Sequence, residues 1–328
     1  MKISSFVVLS VLIASAGMFW LALGLPSPEG KDLGTNRSST VQPEYEPGIF
    51  HSETSIEAAA GKNSPPILVT NRSKIFEFAR DFHISKNYRE YIDKAKLAPE
   101  KGGLFYAHGA ASLCERWSNW FGKSEAIPYE AEVDHAHAQK KQAALEEIRS
   151  RCNGVLPGEF GQDVKRMMGE DPIFQTIKAI FSEDAVIRAA GLEKFFELAD
   201  PVAIDSAGAS LTPSKVMNPG ETDSEKIVLS GYYDGHWYQG ESQQALQYAA
   251  GTLLPCYFGW KCDETGMDVL ASCVLFDVCV KTRFDIVRDV YFKGDEKSYQ
   301  QAVAFAQSMA KNIREKNIEP FIVNQKTE

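Results

Sequence analysis

DPIFQTIKAIFSEDAVIRAAGLEKFFEL, residues 171–198, decides the fold class. Asp171 offers a side chain that accepts from the free N–H groups of a first turn, and Pro172 is pre-set for the first helical position. Ile173, Phe174, Ile177, Ile180 and Phe181 then recur at the three- and four-residue spacing of one helix face. Ser182 reads as the cap of a second helix, with Val186, Ile187, Ala190, Phe195 and Leu198 as its apolar positions. Two amphipathic helices in succession point to a helical domain.

The same period runs outward from there. Upstream, Ser73 is placed to cap a helix carrying Ile75, Phe76, Phe78, Ala79 and Phe82. Tyr88, Tyr91, Ile92 and Ala95 repeat the spacing, and Pro99 opens a helix through Leu104, Phe105, Ala107, Ala111 and Cys114 toward Trp117. Pro128 begins a long polar helix to about Arg151, with Val133, Ala136, Ala144 and Ile148 as a thin stripe. Downstream, residues 205–223 read as loop, rich in Gly, Ser, Thr and Pro. The one convincing β signal follows. IVLSGYY (227–233) and HWYQG (236–240) flank Asp234-Gly235, a two-residue turn in which both positions tolerate positive φ. In the closing third, Ser242 is placed to cap a helix ending at Pro255, and Met267–Asp277 lies between Cys262 and Cys279. Thr282 and Asp285 make a capping-box-like pair, and a last helix from about Glu296 carries Tyr299, Val303, Ala306, Ala310 and Ile313. The expectation is a mainly α, irregular multi-helix domain with one short β-hairpin over residues 67–328, with a sub-boundary near 205–225.

The N-terminus sets the expected compartment. FVVLSVLIASAGMFWLALGL (6–25) carries no charge, follows Lys2 and stops at Pro26. At about 1.5 Å rise per residue, such a run spans roughly 30 Å of hydrocarbon. It reads as an inner-membrane anchor with a cytoplasmic N-terminus. The alternative is a cleaved signal, with Ala22-Leu23-Gly24 as the better-placed small-x-small site. No Cys follows the run, which excludes a lipoprotein anchor. Residues 26–66 are rich in Ser, Gly, Pro, Glu and Thr and read as a flexible tether. In either case the remainder is expected outside the cytoplasm, in the periplasm.

Charge and cysteines fit that placement. The chain holds 35 basic and 44 acidic residues for a net −9, and of these only Lys2 precedes Pro26. An acidic exported part argues against nucleic acid and against adhesion to anionic lipid. Six cysteines, Cys114, Cys152, Cys256, Cys262, Cys273 and Cys279, are an even set in an oxidising compartment and read as disulfides. Cys114 and Cys152 fall at the ends of successive predicted helices and are placed to join. The last four allow three pairings, among which sequence does not choose. Their spacing suits a structural zinc poorly, and the absence of C-x-x-C disfavours a thioredoxin-like role.

KGGLFYAHGAASLCERW (101–117) and LLPCYFGWKC (253–262), with LASC (270–273) and Cys279, resemble exported helical proteobacterial proteins that contain cysteines. The resemblance covers under a fifth of the chain. It implies a helical exported domain with disulfides and carries no activity, cofactor or site.

Catalytic signatures are sparse. Ser308-Met309-Ala310-Lys311 matches S-x-x-K, but the S-D-N and K-T-G partners of that chemistry are absent, and a solvated helix face is the plainer reading. In Asp134-His135-Ala136-His137 the two imidazoles point roughly 200° apart on a helix, so they do not chelate together. Glu132 and His135 share a face, but two ligands make a weak site. No H-E-x-x-H, nucleotide-binding glycine loop or G-x-S-x-G occurs. Neither metal nor cofactor is expected.

The hairpin is the richest local feature. Tyr232, Tyr233, His236, Trp237 and Tyr238 place five rings around Asp234. One face is expected to anchor the hairpin to the helices and the other to display rings and a carboxylate. Tyr233, Asp234, His236, Trp237 and Tyr238 are therefore the candidate binding residues, for an envelope protein or glycan. The expected function is a non-catalytic envelope interaction or scaffold module. The alternative is an envelope hydrolase acting on peptidoglycan or peptide, for which sequence nominates no residues.

Overall fold

A computed structural model describes residues 75–121, 135–158, 160, 169, 171–217 and 228–323. The anchor and tether expected over residues 6–66, the Ser73 cap and the start of the polar helix at Pro128 lie outside the described residues. Among those described, no helix is long and apolar enough to cross a membrane. The described residues belong to one compact unit.

The fold is mainly helical, with one small antiparallel sheet and three disulfides. Helices α1 (Ile75–Ile84), α2 (Tyr88–Lys96), α3 (Gly103–Phe121), α4 (His135–Arg151), α5 (Pro172–Ile180), α6 (Ala185–Leu198) and α7 (Pro201–Ala207) come first. Strands β1 (Ser214–Val216), β2 (Leu229–Tyr233) and β3 (His236–Gln239) follow. Then come α8 (Gly240–Tyr248), α9 (Met267–Leu275), the short α10 (Arg283–Asp285) and α11 (Glu296–Arg314). Both α8 and α10 continue into wide turns, at Ala249–Leu253 and Ile286–Tyr291.

The helix starts follow the capping logic closely. Asp171 accepts from the N–H groups of Ile173 and Phe174. Its second oxygen takes the N–H of Phe105 at 2.9 Å, so one buried carboxylate ties α5 to α3. Asp200 caps α7 through Ala203 N–H and also accepts from the Tyr106 hydroxyl. Thr282 accepts from Asp285 N–H at 3.1 Å, as its spacing predicts.

Three expectations need correction. Asp184, not Ser182, caps α6, through the N–H groups of Val186 and Ile187; Ser182 instead accepts from Asp184 N–H. Val186 and Ile187, in the first turn of α6, are exposed, and its buried residues are Gly191, Leu192, Phe195 and Phe196. Gly191 faces α5 so closely that a Cβ would lie 2.8 Å from Ala179. Ser242 lies inside α8, whose N-cap is Gln239, and its hydroxyl pairs with Gln301 on α11. The stretch from 205 is only partly loop: it completes α7, makes a turn at Gly208–Ser210 and supplies β1.

The hairpin thus becomes a three-stranded sheet, ordered β1-β2-β3. Phe78, Ile92, Ile177, Phe195, Leu211, Leu254 and Met309 belong to one main core cluster. A smaller cluster joins Ala245, Tyr248, Ala249, Leu253, Val287, Phe292, Ala302 and Ala306, where alanines let α8 and α11 approach closely.

The disulfides are Cys114–Cys152, Cys256–Cys262 and Cys273–Cys279. The first joins α3 to the end of α4, as their positions predict. The last four cysteines pair locally, six residues apart. By loop-closure entropy, the 38-residue link contributes about 4 kcal/mol and each six-residue link about 2 kcal/mol. The long link is therefore the main covalent brace.

Candidate functional site

The strand register sorts the hairpin residues by face. Tyr233 pairs with His236, Tyr232 with Trp237, and Gly231 with Tyr238. Ser214 pairs with Gly231, Lys215 with Ser230 and Val216 with Leu229. Directly paired residues share a face. Val216, Leu229, Gly231, Tyr233, His236 and Tyr238 therefore lie on one side. Lys215, Ser230, Tyr232, Trp237 and Gln239 lie on the other.

The first side is an anchor. Tyr233 is 2% exposed, with its ring edge-on to Phe321 at 5.2 Å and near Phe305 at 6.2 Å. Its hydroxyl lies 2.9 Å from Ser308 Oγ and accepts from Asn312 Nδ2 at 2.9 Å, both on α11. Tyr238 packs on Phe305 at 5.0 Å. Gly231 lets α8 approach, because a Cβ there would lie 3.0 Å from Leu246 Cδ2 and the leucine would have to shift. Asp234 N–H donates to Pro320 O at 2.8 Å and fixes the turn against the C-terminal segment. A fully packed tyrosine does not meet a macromolecular partner, so Tyr233 is the foot of the hairpin rather than its tip.

The second side is also packed along β2, where Tyr232 and Ser230 are buried, and carries a half-buried stack over them. Lys215 Nζ sits 4.1 Å from the centre of the Trp237 ring, and Trp237 meets Tyr232 edge-on at 5.3 Å. The Trp237 indole N–H is buried without a hydrogen-bond partner. Asp234 and His236 are exposed at the turn, where His236 Nδ1–H donates to Asp234 O at 2.7 Å. Asp234 takes positive φ, as the Asp-Gly turn requires. At the far end of the ribbon, Val216, Met217, Val228 and Leu229 are each exposed by 41–44%.

The S-x-x-K pair is part of the anchor: Ser308 faces the Tyr233 hydroxyl, while Lys311 is exposed. His137 lies 2.8 Å from Asp277, which also pairs with Lys141. Among the described residues no three His, Cys, Asp or Glu are grouped to hold a metal ion.

Sequence reading missed a second concentration of charge. Arg283, at the start of α10, reaches Asp205 on α7 at 2.7 Å and Asp268 on α9 at 3.4 Å. Its side chain is 9% exposed, against 24% and 22% for the carboxylates. Burial opposes its charge, but the two carboxylates hold its pKa above the ordinary value. Burial lifts Asp205 above the usual carboxylate range, against the pull of Arg283. Trp260 forms one wall of the cluster, with Arg283 5.3 Å from its ring centre and its indole N–H donating to Asp268 at 3.2 Å. Asp205 lies far along the chain from Trp260, Asp268 and Arg283, which themselves sit on separate elements, so no local pattern reveals the cluster. Thr282, which caps α10 and so places Arg283, is the nearest sequence signal.

Protein-family models, curated proteins and solved structures were each compared with the chain, and none matches.

Proposed function

We propose that this protein is a non-catalytic recognition module of the cell envelope, which contacts a protein or glycan partner through Trp237, Lys215 and the Asp234–His236 turn of its three-stranded sheet. The observation that carries this reading is the two-sided hairpin. Its packed side fixes the ribbon on α11 through Tyr233 and Tyr238, its other side carries Trp237 and Lys215, and the turn between the strands exposes Asp234 and His236. A tryptophan held by a cation, on a strand braced from behind, is pre-organised and loses little entropy on binding.

Three disulfides support an oxidising compartment. The rest of the placement, an inner-membrane anchor at residues 6–25 and a tether at 26–66, is proposed from sequence. The hydrolase alternative gains no support from Ser308 or from the buried Asp171 and Asp200, whose oxygens are taken up in packing and capping bonds.

The test compares wild type with Trp237→Ala and Lys215→Glu for retention by purified peptidoglycan and cross-linking to envelope proteins. Loss of either signal in both variants, with melting within a few degrees of wild type, supports the reading. Undiminished retention and cross-linking in both variants contradict it.

A further inference from the structure

Asn153 and Gly154 form the one Asn-Gly pair in the chain, in the turn that follows α4. Val155 N–H donates to Cys152 O at 3.1 Å across this turn, and Gly154 takes a φ of +78°. Both Asn153 and Gly154 are exposed. Gly154 has no side chain to shield its own nitrogen, and the nearest atoms to where a Cβ would stand are those of the Arg89 stem, at 3.6–3.9 Å.

Neither group is engaged elsewhere. Among the described residues, the Asn153 side chain has no hydrogen-bond partner and no carbonyl accepts from Gly154 N–H. The other asparagines whose side chains are described are held. Asn87 caps α2 by accepting from Glu90 N–H, and Asn312 donates to the Tyr233 hydroxyl. Asn317 donates to Asn312 Oδ1 and accepts from Glu319 N–H. Each of these three is followed by Tyr or Ile, whose side chain stands beside the next backbone nitrogen.

We propose that Asn153 is a site of spontaneous, backbone-assisted deamidation, with water as the only co-reactant. The Gly154 nitrogen attacks the side-chain carbonyl carbon of Asn153 and closes a five-membered imide. The bond from that carbon to the amide nitrogen breaks, and ammonia leaves with the proton that Gly154 gives up. Water then opens the imide. Attack at the carbonyl from the side chain gives aspartate, and attack at the main-chain carbonyl gives its β-linked isomer. No electrons are exchanged with an outside group.

Either product leaves a carboxylate just past the C-terminal end of α4, where the helix dipole disfavours negative charge. The isomer also lengthens the main chain by one carbon inside the Cys152–Val155 turn, and Val155 packs against the main core. Conversion therefore accumulates as a mark of the age of the molecule, next to the Cys114–Cys152 link. The inference stands independently of the sheet surface.

The experiment incubates the oxidised full chain in mild detergent at pH 8 and at pH 5, with a sample unfolded in urea at pH 8 as reference. Peptide mass spectrometry follows each asparagine, and electron-transfer fragmentation separates the two products. Asn153 is expected to convert several-fold faster at pH 8 than at pH 5, because the attacking nitrogen must lose its proton. Its rate in the folded chain is expected to lie within a few-fold of the unfolded reference, with the β-linked isomer in excess. Asn87, Asn312 and Asn317 are expected to stay intact in the folded chain over the same period. Conversion of Asn153 in urea but not in the folded chain overturns the proposal, because the turn then holds the amide away from the nitrogen. Equal conversion at Asn87, Asn312 or Asn317 in the folded chain also overturns it, because the free amide and unshielded nitrogen then confer no selectivity.

Discussion

The molecule sets a cation against a tryptophan in two places, and the two differ in what surrounds the pair. Lys215 lies over Trp237 on the sheet, with no carboxylate ion-paired to it among the described residues. Arg283 lies beside Trp260 among helices, where it also neutralises Asp205 and Asp268. At a partly exposed site such a contact is worth about 0.5–1 kcal/mol. In the interior the same kind of contact is secondary to charge balance, because removing the cation strands two carboxylates. The first pair is therefore free to serve recognition, whereas the second holds α7, α9 and α10 together.

Arg283→Met should break the comparison on the interior side. It leaves Asp205 and Asp268 without their shared partner, and the expected loss is about 3–5 kcal/mol in denaturant unfolding. A loss below about 1 kcal/mol would mean that water already neutralises the cluster.

Acidification sharpens the contrast through another buried carboxylate. Burial pushes Asp200 up to about 6, opposed by the Tyr106 hydroxyl and the Ala203 N–H. Relative to an unfolded value near 3.8, the folded protein binds the extra proton between these limits. Its contribution therefore favours folding at low pH and fades as pH rises through about 6. His83 and His108 act oppositely. Burial lowers both to about 4, so their contribution is present above 6.5 and fades as pH falls toward 4. Among these three groups the two histidines outweigh the one carboxylate, so together they should cost wild type stability as pH falls from 7 to 4. Asp200→Asn removes one of them, and its stability relative to wild type should fall by up to about 3 kcal/mol from pH 7 to pH 4. A pH-independent difference between the two proteins would contradict this assignment.

On the surface, Lys215→Ala should cost less than about 1 kcal/mol, since only the ring contact is lost. A larger cost would recast the outer face of the sheet as structural.

What sequence conveyed, and what it missed, follows from how local each signal is. Asp171-Pro172, Thr282 with Asp285, and Asp234-Gly235 act within a few residues, and each marks its element correctly. The α6 start is ambiguous in sequence because Ser182 and Asp184 are both good caps two residues apart, and Val186 and Ile187 lie exposed in its first turn. β1 was hidden because three residues in a Ser- and Pro-containing stretch show no alternation, and its pairing with β2 lies across residues 218–227. For the hairpin, alternation conveyed that there are two faces but not which one packs. That depends on Phe305, Ser308, Asn312 and Phe321, some 70 to 90 residues away. The Arg283 cluster has no local signature at all.

The most direct test of the two-sided hairpin is a pair of melting curves, for Tyr233→Ala and Trp237→Ala. Tyr233→Ala should lose about 3–5 kcal/mol, enough to lower the midpoint by roughly 10 °C, because it empties a packed site and strips Ser308 and Asn312 of their partner. Trp237→Ala should melt within a few degrees of wild type while losing retention by the envelope partner. Equal, large losses of stability in both variants would contradict the account, because both faces would then be holding up the fold.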